Sequence, residues 1–281
     1  MSNIEEERKL SEFSHVLESE QTGKGRQYVD LEGLWYPSVT TVLSKYQEEH
    51  CTWLSDWKKR IGEEEANRIR DAAASRGTAA HEDLEAKFLN KDHTLTSPFA
   101  EIAYSEFFSK TKLISMEEPL MYSGNYKSEP VRVAGRYDAL VEIPSETFKF
   151  KDMNIYLKGG RYLSDLKTKD KTPRVDSLEA VFKNALQASA YYKMLGDRGE
   201  SLDGFIIVYA TVLKTKSYAR TLYFEPMLLD LLWKSVTFPL IVHYHEKKEY
   251  RKTWNQSIDM ICHKAYELFG VYNKCLHYQL E

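Results

Sequence analysis

The segment "RYLSDLKTK", residues 161–169, decides the fold because its alternation favours a β-strand. On a strand, Asp165 and Lys167 share one face with Leu163. One face of a half-buried strand should be apolar, so this charged pair needs an explanation. An exposed Asp-Lys pair contributes only about 0–1 kcal/mol. The alternatives are therefore an idle ion pair facing solvent and the centre of an active site, and other segments must decide between them.

A second strand is predicted at "VRVAGRYDALVE", residues 131–142, where Asp138 shares a face with Arg136 and Leu140. If this strand lies beside residues 161–169, two carboxylates and an ammonium group meet on one surface of the sheet. Two such aspartates repel each other unless a cation joins them, and oxygen ligands suit Mg²⁺ or Mn²⁺. Such an ion activates water for attack on phosphorus, and Lys167 would stabilise the developing charge.

Two helices carry further polar side chains. Glutamates at the front, many alanines and no proline predict a long helix at "EEEANRIRDAAASRGTAAHEDLEAKFL", residues 63–89, which carries His81. Its Gly77 costs about 1 kcal/mol relative to Ala, which suggests close approach by another backbone or by a ligand at that position. A later helix, "SLEAVFKNALQASAYYKML", places Gln187 and Tyr191 one turn apart. Ordinary packed or surface side chains remain the alternative for all three polar residues.

The order of predicted elements indicates an α/β fold, with a central mixed sheet flanked by helices and with helical additions at both ends. A short helix follows a turn at Pro37, and a meander of strands from residue 112 uses Gly159-Gly160 as a hairpin turn. The run "GFIIVYATVL" is typical of a strand buried on both faces, and "SYARTLYF" of an edge strand. The predicted divisions are a flexible arm (1–30), a helical part with His81 (31–110), the core (111–225) and C-terminal helices packed on it (226–281).

Composition excludes several classes of protein. With 281 residues, 42% hydrophobic and 29% charged, the chain should fold as an ordinary globular protein. It has no apolar run of about 20 residues, and its acidic N-terminus is unlike a signal or transit peptide, so we expect a cytoplasmic protein without a membrane partner. The three scattered cysteines, Cys51, Cys262 and Cys275, predict neither disulfides nor a zinc or iron–sulfur site.

Charge is distributed unevenly along the chain. The net charge of −3 argues against binding nucleic acid by bulk attraction. Residues 151–174, however, contain seven Lys or Arg against three Asp, so a basic stripe surrounds the opening segment. The stripe is either a solvated hairpin with lysines extending to water or a set of phosphate contacts.

Four short motifs occur in a fixed order: "RGTAAH" (76–81), "GRYD" (135–138), "DLK" (165–167) and "QASAY" (187–191). Together they resemble the PD-(D/E)xK nuclease superfamily, and within it the RecB-like exonuclease branch. The leading "RQYVDLEGLWYPSVTTVL", residues 26–43, also resembles the start of viral members and of mitochondrial members similar to mitochondrial genome maintenance exonuclease. The resemblance ends at about Tyr223.

The resemblance implies a restriction-endonuclease-like core and a role for each motif residue. Asp138 and Asp165 would be metal ligands together with the backbone carbonyl of Leu166, and Lys167 would be the catalytic lysine. His81 would lie at or near the metal. A weaker candidate for a supporting carboxylate is Glu118. The expected DNA contacts are Gln187, Tyr191, Arg76, Arg136, Lys169 and Lys171.

The implied function is a metal-dependent DNA exonuclease that uses Mg²⁺ or Mn²⁺ and acts on single-stranded or flapped ends during replication, repair or recombination. The partner would be DNA, for which 19 tyrosines and 5 tryptophans offer stacking surfaces. The interval of 27 positions from Asp138 to Asp165 is longer than is usual in the family, so an extra hairpin is expected around residues 143–160. Some related proteins carry an iron–sulfur cluster, which three cysteines could not ligate in the usual way.

Three other functions stay open. The same core could belong to a structure-specific or restriction-like endonuclease. It could also belong to a DNA-binding protein that has the nuclease fold without catalytic activity. A small-molecule phosphohydrolase is less favoured because the chain has no phosphate-cradling Gly-rich loop. The acidic N-terminus favours a viral or bacterial setting over a mitochondrial one.

Overall fold

The computed structural model describes residues 17–22, 25–50, 52–150, 153–171 and 178–246. The three cysteines, the start of the predicted flexible arm and the C-terminal helices expected after residue 246 lie outside these ranges. Residues 17–22 and 25–29 of that arm form two antiparallel strands, and Tyr28 on the second is buried. No helix in the described part of the chain has the length and apolar character needed to cross a membrane.

Seven α-helices are described, with a 3₁₀ turn and a π-helical turn between some of them. The α-helices are α1 (Val39–His50), α2 (Thr52–Ile61), α3 (Glu63–Leu89), α4 (Pro98–Glu106), α5 (Leu178–Asp197), α6 (Pro226–Leu232) and α7 (Phe238–Glu246). The 3₁₀ turn is Phe108–Lys110 and the π-helical turn is Trp233–Thr237. Ser38 caps α1, since its Oγ accepts a hydrogen bond from the Thr41 N–H at 3.0 Å.

Twelve strands are described, and five of them form the central sheet. The strands are β1 (Leu17–Thr22), β2 (Gly25–Val29), β3 (Trp35–Pro37), β4 (Lys112–Met116), β5 (Pro119–Tyr126), β6 (Glu129–Arg136), β7 (Ala139–Ile143), β8 (Glu146–Phe150), β9 (Met153–Leu157), β10 (Gly160–Lys169), β11 (Gly204–Val212) and β12 (Ser217–Phe224). The central order is β12-β11-β10-β7-β4. Only β10 and β11 run parallel in this sheet, which makes it mixed.

Helices cover both faces of the central sheet, which confirms the predicted α/β class. On one face Leu163 and Ile207 pack with residues of α5 such as Leu186. On the other face Ile206 and Val208 pack with residues of α4. Strand β11 is buried along almost its whole length because both of its faces meet helices, as its continuous apolar run predicts.

Three details of the predicted strand arrangement are wrong. The segment predicted as one strand at residues 131–142 is broken at Tyr137 and Asp138, so β6 pairs with β5 in a separate ribbon while β7 joins the central sheet. Strand β9 pairs with β8 and not with β10, so Gly159-Gly160 is not the turn of a β9–β10 hairpin. Pro37 ends strand β3 where a turn was expected.

Candidate metal centre

The two key aspartates lie where β7 begins beside the middle of β10. Ala139, the first residue of β7, is the register partner of Ser164, so the expected neighbouring of these two strands is confirmed. Asp138 precedes β7 at the strand break, and its Oδ2 accepts a hydrogen bond of 2.6 Å from the Leu166 N–H. The break turns Asp138 out of the strand alternation and towards the backbone of β10.

Asp165 and Lys167 are not a solvent-facing pair. Asp165 is only 3% exposed, and its Oδ2 lies 2.6 Å from the Lys167 ammonium. Burial alone would lower the pKa of Lys167, but the carboxylates of Asp165 and Asp138 outweigh it and raise the pKa. The ammonium therefore stays charged next to two acidic groups.

His81 reaches the same place from α3. Its Nε2 lies 3.1 Å from the Leu166 carbonyl oxygen, which can only accept, so Nε2 carries the hydrogen. Its Nδ1 lies 3.6 Å from Asp138 Oδ2 and 3.7 Å from Glu117 Oε1. Burial lowers the pKa of His81, but Asp138 and Glu117 outweigh it and raise the pKa to about 9. In the neutral ring, the Leu166 carbonyl fixes the tautomer that leaves the Nδ1 lone pair facing the carboxylates.

Glu117 completes the cluster, although the sequence pointed to its neighbour Glu118. His81, Glu117 and Asp138 each offer a ligand atom, and these three atoms lie within 4.8 Å of one another. Glu117 has a left-handed backbone, with φ of 52°, and its N–H donates to the Asp138 carbonyl at 3.1 Å. Such a conformation is uncommon for a residue other than glycine. It lies between β4 and β5, so strand alternation could not identify which glutamate faces the site.

Glu118 lies on the other side of this turn. Its carboxylate interacts with the Tyr137 hydroxyl and with the Arg198 guanidinium instead of with the cluster. The prediction of Glu118 as the supporting carboxylate is therefore corrected to Glu117.

The donor set fits a divalent cation. Burial and the nearby Asp165 carboxylate raise the pKa of Asp138 to about 7, so a bound cation would stabilise the charged form of this carboxylate. Two carboxylates and one imidazole nitrogen are ligands that Mn²⁺ or Mg²⁺ accepts. Two other predicted ligands have different contacts here: Asp165 pairs with Lys167, and the Leu166 carbonyl accepts from His81.

Arg76 lies at the end of β10, held from three sides. Its Nη1 lies 3.0 Å from Asp170 Oδ2, its Nε donates to Thr168 Oγ1 at 3.3 Å, and its guanidinium lies over the Phe99 ring. These contacts join α3, α4 and β10 just beyond Lys167. Lys169 is half-buried and Lys171 is exposed in the same region.

Gln187 and Tyr191 lie on α5, where it covers the sheet. Gln187 Nε2 donates to the Tyr191 hydroxyl at 3.3 Å. Tyr191 is only 4% exposed, so in this arrangement it cannot contact DNA as expected. It packs instead against Gly135, and the adjoining Arg136 is half-buried. The Gln187 side chain is half-buried as well.

Tyr209, a buried tyrosine that no sequence pattern singled out, lies beside Lys167. Tyr209 on β11 is the register partner of Lys167, and its hydroxyl accepts a hydrogen bond of 2.7 Å from Asn184 on α5. Burial raises the pKa of Tyr209 to about 12, so its hydroxyl stays neutral beside the ammonium. Only the parallel pairing of β10 with β11 brings these side chains together.

Comparisons with known proteins give distant structural likenesses. No family model matches the chain. No curated protein matches it either. Among solved structures, SSO0001 is 15% identical, with a TM-score of 0.39 over 98% of this chain and 96% of its own. A candidate exonuclease from Eubacterium rectale is 16% identical, with a TM-score of 0.40 over 63% of this chain and 69% of its own.

Proposed function

We propose that the chain is a metal-dependent deoxyribonuclease that acts as an exonuclease on single-stranded or flapped DNA ends. The observation that carries the proposal is that three side chains able to bind a cation lie beside the Asp165–Lys167 pair, in which Asp165 is buried and Lys167 half-buried. The four sequence motifs in RecB-like order support the same function. Its cellular role would be in DNA replication, repair or recombination.

The ligands in this proposal are His81, Glu117 and Asp138, with Asp165 within electrostatic reach. When bound, Mg²⁺ or Mn²⁺ supplies positive charge and Lewis acidity at a phosphate. The chain itself prepares the ligands: the Leu166 N–H fixes Asp138, and the Leu166 carbonyl fixes the His81 ring. One peptide of β10 therefore orients two of the three ligands.

Lys167 supplies the second positive charge of the proposed mechanism. Asp165 holds its ammonium at 2.6 Å, and the nearby carboxylates keep it protonated. A fixed ammonium stabilises charge that develops on the phosphoryl oxygens during attack by water, and it needs no rearrangement to do so.

The proposed DNA strand would approach over the end of β10, where Arg76, Lys169 and Lys171 lie. Contacts to phosphate from such side chains give affinity without sequence preference. This matches an enzyme that acts wherever an end is available. Arg136 and Gln187 remain proposed DNA contacts near the strand break.

The test is digestion of end-labelled single-stranded, flapped, duplex and circular DNA with Mg²⁺, Mn²⁺ or EDTA. Wild type should release nucleotides from linear single strands in either metal, and EDTA should abolish release. Lys167→Ala should lose about 10²–10³-fold in rate. Lys112→Ala, an exposed lysine on the far edge strand β4, is the matched control and should retain activity.

Each other outcome identifies a different function. Activity that survives both EDTA and Lys167→Ala would contradict the metal-nuclease mechanism. Rapid cutting of single-stranded circles would indicate an endonuclease on the same core. Binding of DNA without cleavage in any metal would indicate a catalytically silent DNA-binding protein.

A further inference from the structure

The β11–β12 hairpin presents cations and an aromatic ring on the sheet face that carries Lys167. In register, Lys167 on β10 is opposite Tyr209 on β11, and Tyr209 is opposite Arg220 on β12. Side chains directly opposite on neighbouring strands point to the same face. Arg220 therefore lies on the Lys167 face, two strand spacings or roughly 10 Å away.

The next row of the same face extends this arrangement towards the hairpin tip. Lys169 is opposite Thr211, and Thr211 is opposite Tyr218. The Arg220 guanidinium lies 4.9 Å from the centre of the Tyr218 ring, and the Lys216 ammonium lies 5.3 Å from it. Tyr218 and Arg220 are half-buried and Lys216 is exposed. We call Lys169, Lys216, Tyr218 and Arg220 the hairpin platform.

Among the residues that the structure describes, no carboxylate forms an ion pair with Lys169, Lys216 or Arg220. Residues 204–224 contain three Lys or Arg and no Asp or Glu. Asp170, which acts on Lys169, is already paired with Arg76 at 3.0 Å. Burial lowers the pKa of Lys169, and the nearby cations Lys167, Arg76 and Lys171 lower it further. Such a group of cations is stabilised by an added anion.

We propose that the hairpin platform binds a single-stranded nucleic acid, with a base stacked on Tyr218 and phosphates on Lys169, Lys216 and Arg220. An aromatic ring flanked by cations can stack on an unpaired base while the cations contact its phosphate. A base paired within a duplex has no free face for such stacking. The platform lies on the Lys167 face, but Tyr209 and Thr211 between β10 and β12 are buried on that face. The bound strand would therefore reach the candidate metal centre past Lys169 at the end of β10 and not across β11. The inference rests on the proposed function and specifies the strand path of that site.

The test is fluorescence anisotropy in EDTA, where binding is measured without cleavage. The probe is a fluorescein-labelled oligothymidine of about 20 nucleotides, longer than the sites of about 4–16 nucleotides that such surfaces cover. Tyr218→Ala should weaken binding by about 5-fold or more, whereas Tyr218→Phe should bind like wild type because the ring is retained. Arg220→Gln should lower the slope of log affinity against log salt by about 0.7.

Lys112→Gln is the matched control, since it removes a cation from the opposite edge strand, and it should leave affinity and salt slope unchanged. Thermal melting confirms that each variant is folded. Wild-type affinity in Tyr218→Ala and Arg220→Gln, or equal losses on single-stranded and duplex probes, would overturn the inference. Absence of wild-type binding would overturn it as well.

Failure of this inference can be distinguished from failure of the proposed function. If wild type digests DNA with Mn²⁺ while the platform variants bind and digest equally well, the proposed strand path is contradicted and the proposed nuclease function is supported. If wild type digests no DNA while Tyr218→Ala loses binding, the hairpin platform is supported as a binding surface and the proposed nuclease function is contradicted.

Discussion

The Tyr191 ring packs directly against the Gly135 backbone and leaves no room for a side chain there. A Cβ atom on Gly135 would lie 2.9 Å from both Cζ and Oη of Tyr191 and would overlap its Cε1. Two of the four motifs, "GRYD" and "QASAY", are therefore halves of one contact between β6 and α5. Gly135 lies three residues before Asp138, so the packing of Tyr191 fixes the strand next to the break that orients this ligand. We interpret Tyr191 as a positioning residue, which acts through the backbone and not by touching DNA.

Gly135→Ala should destabilise the protein by about 1–3 kcal/mol, because the added methyl group enters a filled space. It should also weaken Mn²⁺ binding, since the displacement reaches Asp138. Urea unfolding gives the stability, and titration with Mn²⁺ gives the affinity.

The control is the double variant Gly135→Ala/Tyr191→Ala. Tyr191→Ala alone should cost about 3–5 kcal/mol as a large-to-small core change. The double variant should cost less than the sum of the two single changes, because the new methyl group fills part of the cavity. Strict additivity would show that these two residues do not act on each other.

Glu117 and its neighbour Glu118 provide a matched pair for testing the ligand set. Mn²⁺ should raise the melting temperature of wild type, because a ligand that binds only the folded state stabilises it. Glu117→Gln should lower the Mn²⁺ affinity by at least about 10-fold, whereas Glu118→Gln should lower basal stability through Tyr137 and Arg198 and keep the affinity. Melting curves with increasing Mn²⁺ measure both effects. A loss of Mn²⁺ response in Glu118→Gln alone would contradict the assignment.

Much of the fold could be predicted because its signals are local. The long helix at residues 63–89 has the predicted bounds, since its composition and its lack of proline act within the segment itself. Alternation likewise places β10, and a continuous apolar run places β11. Gly77 in α3 has no protein group within 4 Å of an added Cβ, so the suggested close approach by another backbone is wrong, while approach by a ligand stays a prediction.

The errors arise where long-range packing overrides a local pattern. Alternation runs unbroken through Tyr137 and Asp138, so the sequence gives no sign that β6 and β7 belong to different sheets. Gly160 resembles a turn residue, yet a Cβ there would overlap the Asp203 carboxylate from a loop about 40 residues later. The left-handed Glu117 is set by its hydrogen bond to the Asp138 carbonyl. Each of these features depends on a contact between segments that are far apart in sequence, which a local pattern does not reveal.

Lys167 should stabilise the metal-free protein through Asp165. Lys167→Met leaves the buried Asp165 carboxylate without its ammonium and should cost roughly 2 kcal/mol or more. Adding Asp165→Asn should recover most of that loss, because no unpaired charge remains. Urea unfolding in EDTA checks both variants. If Lys167→Met were as stable as wild type, the ion pair with the buried Asp165 would not contribute to stability.

Asp203 contacts Lys158 and Arg161 at the start of β10 and should make the free energy of unfolding depend on pH in the acid range. Burial alone would raise its pKa, but hydrogen bonds from the Lys158 ammonium and the Arg161 N–H, both at 3.0 Å, outweigh burial and lower it. Its stabilisation is therefore complete above the ordinary pKa of 3.8 and is lost as pH falls through the lowered value. Asp203→Asn should cost about 1–2 kcal/mol at pH 7 and little in strong acid. Urea unfolding at both pH values measures this, and the exposed Asp56→Asn should show no such difference.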